Sequence, residues 1–122
     1  LGTPYGSSLQ VEIARTAEAR AHGLMGRRRL GADRGMYFEC PQPTTDAFCM
    51  KDTLVPLSVA FFDDHFTIVG IRNMLPCTVD DCPLYRSPRP YVGAIEANRG
   101  YFGRHGIRPG DRVYLQLEHF CQ

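Results

Sequence analysis

Apolar and polar residues alternate along Leu9-Gln10-Val11-Glu12-Ile13-Ala14, the pattern of a half-buried strand. Thr16 then precedes a run rich in Ala, Glu and Arg that favours helix from Ala17 to about Leu24. Its hydroxyl is placed to cap that helix, and Gly23 and Gly26 punctuate the end. Met36 to Cys40 reads as a second strand, stopped by Pro41 and Pro43. Asp46 to Met50 reads as a third strand and Val55 to Phe62 as a fourth. Asp63-Asp64-His65 is a polar turn between two apolar runs, a hairpin signal although the usual glycine is absent. The return strand, Phe66 to Arg72, is rich in β-branched residues. Asn73 to Pro90 is a long proline-bearing connection, of the kind that is functional or pinned in a compact domain. Tyr91 to Glu96 follows as a strand, and Asn98 can cap a helix that runs to about His105 and ends at Gly106. Arg112 to Leu117 closes the sheet after the Gly110-Asp111 turn.

This succession predicts a mainly β (α+β) fold: a single-domain antiparallel β-barrel-like sandwich with two short helices. Leu1 to Ser8, rich in Gly, Pro, Ser and Thr, reads as a flexible leader, and residues 9–122 as the domain. No internal repeat or low-complexity segment interrupts it. At 122 residues the chain can build one core without metal or disulfide support.

Charge narrows the function classes. A formal net charge of +1 gives no electrostatic footprint for nucleic acid or an anionic membrane. The local basic cluster, Arg27-Arg28-Arg29 with Arg34, is short, is offset by Asp33, and reads as a solvated helix end. No apolar run approaches the length of a membrane span. The first residue is Leu1 rather than methionine, which removal of an upstream segment, in the cell or before expression, would explain.

The most informative stretch is Phe48-Cys49-Met50-Lys51-Asp52-Thr53-Leu54-Val55-Pro56-Leu57. It holds the only lysine among 14 basic residues, and places a cation, a carboxylate and a hydroxyl together between apolar runs. Such a triplet is costly to bury unless it is paired or reaches solvent, so on spacing alone it reads as a polar corner with Lys51 and Asp52 solvated. Cys77 and Cys82, beside Pro76 and Pro83, can close a small disulfide hairpin that argues for an oxidising compartment. The alternative, a pair of zinc ligands, lacks a second pair at ligand spacing. Cys40, Cys49 and Cys121 remain, an odd set of which at least one is expected to be free.

The segment Phe48 to Leu57 resembles the Phe-Trp-Met-Lys-Asn-Thr-(apolar)-(apolar)-Pro-Leu signature of the bacterial domain of unknown function 192 family. Gly23-Leu24-Met25-Gly26-Arg27-Arg28, Gly35-Met36-Tyr37-Phe38, the Pro76-Cys77 and Cys82-Pro83-Leu84-Tyr85 pair, Tyr91-Val92 through Asn98-Arg99-Gly100, and Gly106-Ile107-Arg108-Pro109-Gly110-Asp111 resemble its other blocks in order. The resemblance implies a β-barrel-like sandwich with short helices, and an exported, extracytoplasmic (periplasmic or secreted) protein. It implies no activity.

Candidate chemistry is sparse. Cys49 stands where the family signature has tryptophan, and a lone thiol in an apolar strand reads as a small core residue rather than a nucleophile. Asp63-Asp64 and Asp80-Asp81 are adjacent pairs whose members point apart, as turn residues do. Glu96, near the end of an apolar strand, needs solvent or a cation, and it is expected to meet Lys51 or Arg27 at one mouth of the barrel. Met25, Met36, Met50, Cys40 and Cys49 are soft ligands that could select copper(I), but they read first as core filling. No hard-metal motif or phosphate loop is present, and no metal or cofactor is expected. The expected function is a non-catalytic binding or accessory module. Its polar mouth, Arg27, Lys51, Asp52, Thr53 and Glu96, would take a small polar ligand or a protein partner segment. The alternative is a small enzyme using Lys51 or Glu96 as acid or base, and a weaker alternative is copper carriage through the Met/Cys set.

Overall fold

The computed structural model describes residues 8–116. The leader expected over Leu1–Ser8 therefore lies outside the described residues except for Ser8, as do Leu117, His119 and Cys121. The alternating Leu9–Ala14 segment forms β1, Gln10–Ala14, and Thr16 caps α1, Ala17–His22, by accepting from the Ala19 amide at 3.0 Å. Gly23 ends α1 at φ +52°, a left-handed position that suits glycine. The following strands are β2 (Arg34–Thr44), β3 (Phe48–Cys49), β4 (Leu57–Phe62), β5 (Ile68–Met74), β6 (Leu84–Tyr85) and β7 (Tyr91–Asn98), and α2 spans Tyr101–Arg104.

Five strands make the main sheet in the order β1-β2-β7-β4-β5, and β3 pairs with β6 in a small second sheet. The β1–β2 pair is parallel; every other neighbouring pair is antiparallel. The fold is mainly β and sandwich-like with two short helices. The main sheet stays open, with β1 and β5 at its edges, rather than closing into a barrel.

Several boundaries differ from the sequence reading, each for a physical reason. β2 runs through Pro41 and Pro43 to Thr44 instead of stopping at Cys40. Beyond Phe38 it has no β1 partner, and its register with β7 shifts between Glu39 and Thr44, so the missing proline N–H groups break no regular ladder. The third strand shrinks to Phe48–Cys49 because only β6 is there to pair with it. Asn98 does not cap α2. It ends β7 and donates its side-chain N–H groups to the Leu30 and Gly31 carbonyls at 2.9 and 3.1 Å, while Gly100 occupies the cap position. Within the described part of Arg112–Leu117, Arg112 pairs with Thr67 as a single bridge rather than as a closing strand.

The hairpin at Asp63 forms as expected, without glycine. Phe66 takes the left-handed conformation at φ +59° and donates its amide to the Asp63 carbonyl. The Asp63 carboxylate accepts from the His65 and Thr67 amides, holding the turn as aspartate does elsewhere.

Apolar side chains cover both faces of the main sheet. One layer gathers Met36, Phe38, Leu57, Val59 and Phe61 with Leu24 and Met50; the other gathers Tyr37, Ala60, Phe62 and Ile95 with Tyr101, Phe102 and Val113. β7 is bonded on both sides, and its neighbours come very close. A Cβ added at Gly35 would stand 2.2 Å from the Glu96 carbonyl oxygen and 2.9 Å from Leu9 Cδ2. Since backbone on the opposing strand cannot yield as a side-chain tip can, Gly35→Ala is expected to lower the urea midpoint by an amount equivalent to about 1–3 kcal/mol. An unchanged midpoint would show that the β2–β7 spacing is not set there.

Candidate functional site

β7 carries Ala94 and Glu96 on the same face. Glu96 lies in register with Met36 on β2 and Val59 on β4, both members of the layer that contains Leu24 and Met50. The strand that brings an apolar row into the core thus carries one carboxyl in with it, and Glu96 is only 4% exposed. Its carboxyl has no hydrogen-bond or ion-pair partner among the described residues. No described side-chain polar atom is both sealed from solvent and unbonded, so the carboxyl meets open space.

That space is a cleft of about 330 Å³ between α1 with the turn after it, the far half of β2, and the segment leading into β3. Phe38, Phe48, Tyr91 and Leu24 supply apolar walls, and Glu96 and Thr53 line it as buried polar groups. The aromatic walls hold one another. Phe48 packs edge-on against Phe38 and Phe61, at ring separations of 5.0 and 5.5 Å, and Tyr91 lies 4.9 Å from Phe61. The Tyr91 hydroxyl donates to the Asp46 carbonyl at 2.7 Å. Arg20 lines the cleft but turns Nη1 onto the Arg15 and Glu39 carbonyls, at 2.7 and 2.9 Å.

Burial dominates the electrostatics. With no compensating donor, desolvation pushes the Glu96 carboxyl up to about 8 from the usual 4.5. Burial raises the Cys40 thiol too, with Asp46 and Glu39 adding to it against Arg20, so Cys40 stays a neutral thiol rather than an activated nucleophile.

The expected meeting of Glu96 with Lys51 or Arg27 does not occur, because both cations are engaged elsewhere. Arg27 makes a two-pronged pair with Glu12 of β1, its Nη2 donating at 2.6 Å, which lowers the Glu12 carboxyl. Lys51 donates Nζ to the Val79 carbonyl at 2.9 Å and to Asp80 at 3.0 Å. Of the five residues expected at a common mouth, the cleft brings together Glu96 and Thr53. Arg27 lines a separate recess with Glu12, Arg29 and Arg34.

Lys51 and Asp52 form a corner that is clamped rather than simply solvated. Asp52 adopts φ +57°, a left-handed position that aspartate tolerates, as does the asparagine of the family signature. Its amide donates to the Cys77 carbonyl at 2.8 Å, its carbonyl accepts from Gly26, and Cys77 bridges the strand-like residues Lys51 and Thr53. Cys77 and Cys82 are joined as a disulfide, so Lys51 ties the corner to the disulfide loop. Cys49 is exposed on the cleft lining rather than in the core. Phe48 takes the inward direction of the short β3, and alternation turns Cys49 out. Met36 and Met50 are core residues as expected, whereas Met25 lines the cleft.

The sequence reading did not single out Phe38, Tyr91, Arg20 or Asp46 as cleft residues. Their types are ordinary for core and loop, and only the packing of α1 over the sheet gathers them.

Together these features define a small mainly β domain with a cleft on a sheet face, a buried carboxyl lining it and a disulfide-clamped corner beside it. The chain belongs to the domain of unknown function 192 family (DUF192, "Uncharacterized ACR"), whose pattern matches residues 2–115. It is similar to a solved protein of unknown function from Novosphingobium aromaticivorans DSM 12444, with 32% identity and a TM-score of 0.84 over 93% of this chain and 81% of that one. It is also similar to a solved protein from Sinorhizobium meliloti 1021 described as a candidate transcription regulator. Identity there is 34% and the TM-score 0.81, over 92% of this chain and 87% of that one. No curated protein matches the chain.

The Glu96 environment has a measurable consequence for stability. Between about 4.5 and 8 the folded chain keeps a proton that the unfolded chain releases, so this group's contribution declines as pH rises through that window and is level above it. Glu96→Gln removes the dependence. Relative to wild type, its Tm is expected to be similar at pH 4.5 and clearly higher above about pH 8. A difference that does not grow with pH would mean that the carboxyl ionises normally in the folded protein.

Proposed function

We propose that this chain is a non-catalytic binding module whose cleft takes a small ligand, with Glu96 as the buried polar anchor and Thr53 beside it. The observation that carries this reading is a carboxyl at the base of an aromatic-walled cleft, 4% exposed, with no protein partner among the described residues. A buried polar group without a partner is unfavourable in an apolar core, and a ligand group that satisfies it recovers that cost. The cleft volume of about 330 Å³ suits a compact molecule at the small end of ligand sites. Arg27, Lys51 and Asp52, expected at the same mouth, act in this reading as supports for the walls rather than as ligand contacts.

The disulfide supports an extracytoplasmic setting, since such bonds persist in oxidising compartments. None of the described helices is long and apolar enough to cross a membrane. The regulator description belongs to the Sinorhizobium protein, and the net charge of +1 here gives no separate support for DNA binding.

The enzyme reading rests on Glu96, whose carboxyl is pushed by burial up to about 8, toward the range that suits a general acid or base. Lys51 has no part in it, being tied to Asp80 outside the cleft. Copper carriage has less support. Met25, Cys40 and Cys49 share the lining, but among the described residues no three His, Cys, Asp or Glu side chains gather where a metal could sit.

The test is a fragment screen by amide chemical-shift mapping, paired with native and denatured intact mass. The expected result is saturable shifts concentrated at Phe48, Thr53 and Tyr91, or a small-molecule mass retained only in the native spectrum. Shifts confined to other surfaces, with no retained mass, would overturn the proposal.

A further inference from the structure

The lining of the cleft says more than that it binds. It holds two carboxyls, Glu96 at the base and exposed Asp46 at the rim, and neither has a side-chain ion-pair partner among the described residues. Its one arginine, Arg20, spends Nη1 on two backbone carbonyls. Arg27 and Lys51 are paired with Glu12 and Asp80 outside the cleft. Phe38, Phe48 and Tyr91 form walls whose ring faces carry negative electrostatic potential. The carboxyls and the ring faces favour positive charge in the space between them, against the charge of Arg20, which is felt at Cys40 and Tyr91.

We propose that the cleft takes a compact organic cation, a protonated amine or amidinium carried on a flat apolar body, with the Glu96 carboxyl as its counter-charge. This rests on the reading of the cleft as a ligand site. The apolar body lies against Phe38, Phe48 and Tyr91, and the N–H groups reach Glu96. As the ion pair forms, the proton held by Glu96 at neutral pH passes to solvent and the ligand keeps its own, so charge and protons balance. An anion would meet Asp46 and find no uncommitted cation at the base. A neutral amide could both donate to and accept from a protonated Glu96, but without the attraction of opposite charges that makes ion-paired hydrogen bonds the stronger ones.

Proton release gives a second signature. The titratable and charged groups facing the cleft are Arg20 and His22 of α1, Cys40 of β2, Asp46 and Cys49 of the following segment, and Tyr91 of β7. Cation affinity is expected to climb with pH until it levels near 8. Since other groups face the cleft, only the part of the slope that Glu96→Gln abolishes is assigned to Glu96.

Benzylamine, benzamide and benzoate have similar bodies and carry positive, neutral and negative groups, and they are titrated into the full chain while cleft amide shifts are followed. The expected result is saturation by benzylamine at millimolar concentration, with benzamide and benzoate weaker by about tenfold or more, a difference of about 1.4 kcal/mol. Glu96→Gln is expected to weaken benzylamine by a similar factor and to flatten its pH profile. Phe48→Leu, which keeps the carboxyl, should weaken benzylamine several-fold and serves if Glu96→Gln folds poorly. Binding of benzamide or benzoate in the cleft at least as tight as benzylamine overturns the cation assignment and leaves the cleft a ligand site. An unchanged benzylamine affinity in both variants also overturns it. Failure of all three probes overturns it as well, and the separate fragment screen then decides whether the cleft binds anything.

Discussion

Burial of strand β7 on both faces and both edges is the constraint on which the rest depends. β2 and β4 bond its two sides, so every residue from Gly93 to Ala97 is buried whatever its chemistry. Gly35 permits the β2 backbone to approach closely, and Gly93 leaves room for the Phe62 ring. Once that strand is in place, Glu96 has no route to bulk water except the space that α1 and the β2–β3 segment leave above it. The cleft and its carboxyl are consequences of one strand's position.

The neighbouring charges acquire their roles from the same geometry. Arg27 follows α1 and reaches the edge strand β1, where it finds Glu12. Lys51 reaches the disulfide loop, where it finds Asp80. Both pairs are substantially exposed, and pairs of that kind contribute roughly 0–1 kcal/mol. Both cations stand outside the cleft, and among the described residues Glu96 has no ion-pair partner. Glu96 is therefore held uncharged by desolvation, a state that a suitable ligand group can change.

Much of the fold was legible because its signals are local. Thr16 announced the cap of α1, alternation announced β1, and Asp63 announced the hairpin even without glycine. The disulfide between Cys77 and Cys82 was legible from spacing and neighbouring prolines. Less legible were features whose cause lies in another part of the chain. Pro41 and Pro43 could remain in β2 only because no partner strand demanded their N–H groups there. Asn98, a good cap by type, was captured by the Leu30 and Gly31 carbonyls from far along the chain. Cys49 was read as core because its flanks are apolar, yet a two-residue strand turns it outward.

The candidate site divides in the same way. Sequence determined that Glu96 would be an awkward carboxyl in an apolar strand, that the Lys51–Thr53 corner would be polar, and that the chain would be mainly β. Those outcomes follow from residue type and short-range periodicity. Tertiary structure decided which cation meets which carboxylate, since long side chains choose partners by distance across strands and loops rather than by spacing along the chain. It also decided that Phe38, Phe48 and Tyr91 stand around Glu96, because only the packing of α1 over the open sheet leaves a cleft there.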